Sequence, residues 1–412
     1  MNVIKAKVKT EVKKVENGTV VTPKGFFAAG VYAGLSHGKK DVGAVMSESP
    51  ASCAAVYTQS SFQAAPLHVT KESISKEKKL QGIIANSACA NACTGEQGLK
   101  DAYEMREAFA EKFGVASHYV AVASTGVIGE LLNMEKIRKG ISELEPSADQ
   151  TGAEDFQTAI LTTDLVMKTA CYETMIDGKK VTVGGAAKGS GMIHPNMATM
   201  LGFVTTDAAV DSIVLQEALS SITNKTFNQI TVDGDTSTND MVIVMANGMA
   251  GNNPLTPSHP EWAQFYEALK LTCEDLAKAI ARDGEGATKL IEVQVNGAKT
   301  KEDANKIAKQ IVGSNLVKTA VYGADANWGR IIGAIGYSGV EIDPTKVDVS
   351  LGNICMLKKS QPQPFDETAA KEYLQQPEVV IHVQLGEGDE NGTAWGCDLT
   401  YDYVKINASY RS

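Results

Sequence analysis

Between residues 260 and 282 the apolar side chains Trp262, Phe265, Leu269, Cys273, Leu276 and Ile280 recur in steps of three and four. That spacing places them on one face of a long amphipathic helix. The same period, in shorter form, predicts helices over 96–113, 131–144, 213–224 and 304–311. Continuous or alternating apolar runs predict strands over 80–85, 119–123, 180–184, 199–205, 241–246, 290–295, 317–322, 347–356 and 379–385. The valines at 8, 12, 15, 20 and 21 read as short opening strands. The small residues of 22–34 suggest tight packing or a loop beside a site. Strands and helices thus alternate along the chain, the pattern of an α+β protein built in layers.

The length of 412 residues leads to an expectation of two domains, or one large one. No repeat or low-complexity tract divides the chain, and its richest turn segment, 252–260, is too short to be a linker. A hydrophobic content of 43% is ample for a core. The net charge of −10, with no dominant block of either sign, argues against nucleic acid or an anionic membrane as partner. No apolar run reaches the roughly 18 residues of a membrane helix, and the lysine-rich start lacks the apolar core of a signal peptide. Seven scattered cysteines suit reduced thiols and a cytoplasmic location. Cys89 and Cys93 have knuckle-like spacing without a second ligand pair, so they read as buried thiols and no metal is expected.

Candidate chemistry lies where these elements break. Two glycines and a proline interrupt Lys188-Gly189-Ser190-Gly191-Met192-Ile193-His194-Pro195, and the chain then reaches Ala198-Thr199 at the start of an apolar run. Such a loop can hold one hydroxyl in a fixed place, although Ala-Thr alone also suits a threonine opening a buried strand. Ser124-Thr125-Gly126 closes a strand with a hydroxyl and a residue that lets a substrate approach the main chain. A plain strand-to-helix turn is the alternative there. For Thr162-Thr163-Asp164 it is helix capping. Glu285 stands between Gly284 and Gly286 after the long helix, either presented to a ligand or simply facing solvent. Asn86-Ser87-Ala88-Cys89 is a ligand-facing corner or a close-packed one. Asp233-Gly234-Asp235 lacks the later glutamate and oxygen spacing of a calcium loop, and reads as a hydrogen-bonded turn near the site.

Taken together and in order, these motifs resemble the ornithine acetyltransferase family, which makes or recycles N-acetylglutamate in arginine biosynthesis. The resemblance covers essentially the whole chain, from the glycine-rich opening through 86–95, 231–240 and 323–330 to the tail at 396–412. It implies an N-terminal-nucleophile-like αββα sandwich with a smaller second domain. It also implies self-cleavage between Ala198 and Thr199, giving an α chain 1–198 and a β chain 199–412 that build one site. Thr199 would be the nucleophile, and Thr125 and Gly126 the oxyanion donors. Thr162, Lys188, Thr199, Glu285, Asn407 and Ser412 would bind substrate, with serine standing where the family usually ends in threonine. An α2β2 heterotetramer is the implied assembly.

The implied reaction is ping-pong: Thr199 takes the acetyl group from N-acetylornithine, and glutamate's amine takes it from the resulting ester. The base would be the α-amine of Thr199, whose reference pKa of 7.7–8.0 leaves about a tenth to a fifth unprotonated at pH 7. A nearby Lys188 ammonium would lower that pKa further by like-charge repulsion. No tightly bound cofactor is expected, and acetyl-CoA stands as a candidate co-substrate. The alternatives are a self-processing aminopeptidase or amidohydrolase of the same fold and a non-catalytic amino-acid-binding protein.

Overall fold

The computed structural model describes residues 11–194 and 200–409. The first part of the chain forms β1 (Lys13–Lys14), β2 (Phe26–Val31), β3 (Val42–Tyr57), α1 (Ala65–Glu77), β4 (Lys79–Asn86), α2 (Gly95–Phe113), β5 (Val120–Ser124), α3 (Met134–Glu143), α4 (Gln150–Ile160), β6 (Lys168–Ile176) and β7 (Lys179–Lys188). After the loop come β8 (Leu201–Thr206), α5 (Ser212–Thr223), β9 (Ile230–Thr231), β10 (Met241–Ala246), α6 (Trp262–Arg282) and β11 (Leu290–Ala298). The last part forms α7 (Lys301–Gly313), α8 (Asn315–Tyr322), α9 (Trp328–Gly336), β12 (Asp348–Leu351), β13 (Ile354–Lys358), β14 (Gln361–Pro362), α10 (Glu367–Leu374), β15 (Glu378–Gln384), β16 (Glu390–Cys397) and α11 (Tyr401–Ala408).

Successive side chains of a strand point to opposite faces, and here both faces are apolar. The main sheet runs β1-β6-β7-β8-β10-β3-β4-β5, with β2 also paired to β3. Phe203, Ile243 and Met245 share one core with Val45, Ile83, Ala85, Ala121 and Ala123, so the central strands β8 and β10 and the strands β4 and β5 at one end bury the same side against each other. The opposite sides face helices. Val204, Val242 and Val244 pack with Leu215 and Leu219 of α5 and with Phe265, Leu269 and Leu276 of α6. Ala44, Ile84 and Val122 pack with Met105 and Phe109 of α2 and with Ile137 of α3. Helix, sheet, sheet, helix is the resulting order, an αββα sandwich of the α+β class. β3 serves both leaves, and its register against β4 shifts between Met46 and Ala51.

A smaller second sheet, β14-β13-β12-β15-β11-β16-β9, carries its own apolar core with α7, α8 and α9. α6 bridges the two bodies: its Cys273, Leu276 and Ile280 are buried in one cluster with Leu290 of β11 and Trp395 of β16.

Several sequence expectations change. Residues 317–322 form not a strand but part of α8, because Ser314 caps the helix at Val317 N–H and Val317, Lys318 and Val321 are buried at helical spacing. The expected strand 347–356 is a hairpin of β12 and β13, turning at Gly352, whose φ of +53° favours glycine. Residues 131–133 precede α3, and Leu131 is exposed. Val20 and Val21 are buried in turns, whereas Lys13–Lys14 is the strand. The expected strand at Val8 lies outside the described residues. The small residues at 26–31 belong to β2, packed tightly enough that a side chain at Gly30 would collide with the Asp155 carbonyl. Cys89 is buried as expected, but Cys93 is exposed. β3, α1, α4, β6, α10, β16 and α11 were not read from the pattern.

Candidate functional site

Parallel strands β4 and β5 end side by side at Asn86 and Ser124, and the loops beyond them open the site. Thr125 N–H donates to the Asn86 carbonyl (3.0 Å), while the Ser124 hydroxyl donates to Asn86 Oδ1 (2.6 Å). Asn239, in the buried turn before β10, donates from one side-chain amide to the carbonyls of Ala90 (2.6 Å) and Ser124 (2.9 Å). The segments 86–91 and 237–240 are therefore the frame that fixes Thr125 and Gly126. Gly126 has φ +136°, and a Cβ there would collide with the Ala88 carbonyl, so this backbone requires glycine.

Lys188 ends β7 and is buried at 8% exposure. Its ammonium donates to the hydroxyls of Thr162 (2.7 Å) and Thr125 (3.3 Å), and Asp164 Oδ2 lies 3.8 Å away. Hydroxyl oxygens that accept from an ammonium keep their own hydrogens free to donate. Asp164 also accepts from Thr162 N–H (3.0 Å), Gly189 N–H (2.7 Å) and Lys168 (2.7 Å), so the Thr-Thr-Asp segment caps no helix. Lys168 in turn reaches Asp283 (2.6 Å), which accepts from Leu165 and Val166 N–H. The side chains of Asp164 and Lys168 are fully buried. Burial alone would raise the Asp164 pKa, but Lys188 and Lys168 hold it well below the ordinary carboxylate value. Burial lowers the pKa of Lys188 from the ordinary lysine value; Lys168 adds to this, and Asp164, Asp240 and Glu285 oppose it.

Asp283 follows α6, and the Ser190 hydroxyl donates to its carbonyl (2.7 Å). Two residues on, Glu285 N–H donates to Ser190 carbonyl (3.1 Å), and Asn407 of α11 donates to Glu285 Oε2 (2.8 Å). Glu285 is buried, so the solvent-facing reading is overturned. Any side chain at Gly191 would occupy the space of the Glu285 carboxylate. The Asp233 carboxylate accepts from Met192 (2.7 Å), Ile193 (2.9 Å) and Asp235 N–H (3.2 Å), which makes the Asp-Gly-Asp segment the hydrogen-bonded turn expected and ties the loop to it.

Thr125, Gly126, Thr162, Lys188, Glu285 and Asn407 all line one cavity of about 370 Å³. Met200 and Leu201, which follow Thr199 in the chain, line it too. Ala198, Thr199 and Ser412 lie outside the described residues. Three charged groups around the site were not assigned from sequence: Asp164, Lys168 and Asp240. Asp164 and Asp240 stand in motifs that were recognised, but Lys168 takes its second carboxylate partner, Asp283, from a distant part of the chain. Among the described residues no three His, Cys, Asp or Glu side chains converge to hold a metal ion, and no helix is long and apolar enough to cross a membrane.

Comparison with known proteins gives a match to the ArgJ family over residues 27–412. An arginine biosynthesis bifunctional protein ArgJ from Geobacillus kaustophilus is 72% identical over 402 residues, covering 98% of each chain. The protein of that name from Bacillus subtilis is 65% identical over 395 residues, 96% of this chain and 97% of its own. A crystal structure of ornithine acetyltransferase from Mycobacterium tuberculosis, complexed with ornithine, is 35% identical with a TM-score of 0.43, over 45% of this chain and all of that one.

Proposed function

Because this chain belongs to the ArgJ family, we propose that it is a glutamate N-acetyltransferase of arginine biosynthesis, moving acetyl from N-acetylornithine to glutamate. The observation that carries this reading is the convergence of Thr125, Gly126, Thr162, Lys188, Glu285 and Asn407, from five separate stretches of chain, on one cavity. Thr199 is the nucleophile, freed by cleavage after Ala198, and its α-amine removes its hydroxyl proton. The Thr125 hydroxyl and Gly126 N–H stabilise the oxyanion. A substrate ammonium is complemented by Glu285, and a substrate carboxylate by Lys188 and Thr162. Asn407 orients Glu285, and Ser412 is a further substrate-binding residue in this proposal.

Acetyl-CoA is a second acetyl donor in this proposal, in keeping with the word bifunctional in the relatives' names. The assembly is α2β2, and the location is the cytoplasm. Water vastly outnumbers glutamate, so a transferase must orient its acceptor; such proximity is worth an effective concentration of roughly 10⁵ M or more. N-acetylornithine alone is therefore expected to give little steady turnover, and added glutamate to release ornithine in proportion to the N-acetylglutamate formed. Equal ornithine release without glutamate, with acetate accumulating, would assign the protein to the hydrolases instead.

A further inference from the structure

The cavity contains one acid to which the preceding reading gives no task. Asp240 is 3% exposed, lines the cavity with Lys188 and Thr125, and its Oδ2 has no hydrogen-bond partner among the described residues. A buried carboxyl oxygen left unpaired is costly, and native proteins retain such groups where they have work to do. Its position is held from both sides: Thr58 N–H donates to the Asp240 carbonyl (2.9 Å), and the next residue, Met241, donates its N–H to the carbonyl of Met200 (2.9 Å). Asp240 therefore stands beside the residue that follows Thr199. Burial pushes its carboxyl well above the usual carboxylate range, with Ser237 hydrogen bonding and the Lys188 ammonium opposing. Glu285 and Asp164, the cavity's other nearby acids, act on Lys188 and offset part of its charge.

We propose that Asp240 is a catalytic proton carrier of the acyl transfer, giving a proton to the nitrogen that leaves and taking one from the nitrogen that arrives. The inference rests on the acyl-transfer reading above. In the first half-reaction the Thr199 hydroxyl proton passes to the α-amine, and its oxygen bonds to the acetyl carbon. As the carbon–nitrogen bond breaks, the Asp240 proton moves to the departing nitrogen, so a neutral amine leaves. Asp240 is then a carboxylate and the α-amine an ammonium. In the second half-reaction the incoming neutral amine bonds to the acetyl carbon and loses a proton to Asp240. The α-ammonium returns its proton to the Thr199 oxygen as the ester breaks. Both groups end as they began.

A leaving group that needs no proton separates this role from a structural one. N-acetylornithine leaves as an amine and requires the acid, whereas p-nitrophenyl acetate leaves as a stable phenolate. With D240N, which keeps the shape, acetylation by N-acetylornithine should fall about 10²–10⁴-fold, the usual range for a general acid. Acetylation by p-nitrophenyl acetate should fall far less, and D240E should recover part of the amide reaction. The unmutated enzyme gives a second readout: its amide-to-ester rate ratio should decline as pH rises and Asp240 loses its proton. Equal losses with both donors in D240N, or a ratio independent of pH, would overturn the proposal. Failure of the unmutated enzyme to take acetyl from N-acetylornithine would instead overturn the acyl-transfer reading.

Discussion

At the scale of single residues, Thr125 is the test of how charge is met in this site. Its oxygen lies 3.3 Å from the Lys188 ammonium, which leaves the hydroxyl hydrogen free to point at a developing oxyanion. Such a contact strengthens only as charge appears, so it affects kcat rather than substrate binding. Thr125→Ala should cost about 2.7–4 kcal/mol, or roughly a hundredfold to a thousandfold in kcat, with KM little changed. Thr125→Ser should keep most of the activity. An unchanged kcat in fully cleaved Thr125→Ala would remove this hydroxyl from the reaction. The cavity-lining residues legible in the sequence are those where regular structure is interrupted: Thr125, Gly126, Thr162, Lys188 and Glu285 all stand at breaks, and glycine or hydroxyl neighbours mark them. Lys168 had no such mark. Its partner Asp283 is 115 residues away, and nothing in an alternating strand such as Lys168–Ile176 announces a buried cation.

At the scale of elements, the long amphipathic helix and the apolar strands were legible because one period persists over many residues. α8 was not. Its Leu, Val, Thr, Ala, Val and Tyr residues favour a strand locally, but Ser314 caps the turn and the second sheet's core buries one side of it. Tertiary burial decided the outcome over local preference. The same long-range logic governs the ion network that joins the 162–168 loop, the end of β7 and the segment after α6. Lys168 stands between two carboxylates, with its side chain fully buried. Removing the cation leaves Asp283 buried without its ion-pair partner and Asp164 with only the more distant Lys188, the kind of change that costs about 3–5 kcal/mol in buried pairs. Lys168→Met should show that loss in denaturant unfolding, together with weaker substrate binding as Thr162 and Glu285 shift. Lys180→Met, which breaks a mostly exposed pair with Glu173, should have much the smaller effect. Equal effects of the two substitutions would refute the network's role.

At the scale of the whole molecule, the sheet order decides what cleavage after Ala198 can do. β8 and β10, from the part beyond residue 198, lie in the middle of the main sheet. β7 pairs with β8 from Lys188↔Leu201 to Val183↔Thr206, and β3 pairs with β10 from Tyr57↔Met241 to Ser52↔Ala246. Both neighbours belong to the part before residue 199, while α6 from the later part packs across β6 and β7. Separating the two chains would expose strand edges on both sides of β8–β10 and open the core shared by Val183, Val204 and Leu276. Cleavage should therefore free an amine without freeing a chain. Thr199→Ala should remain one full-length chain, because no hydroxyl is left to attack the Ala198 carbonyl. The unmutated protein should give two chains on a denaturing gel but one co-eluting species in native size-exclusion chromatography. Both forms should also unfold in similar denaturant, since the same strands pair in each. Separate elution of the two fragments in native buffer would contradict this account of the sheet, and normal cleavage of Thr199→Ala would contradict the proposed nucleophile.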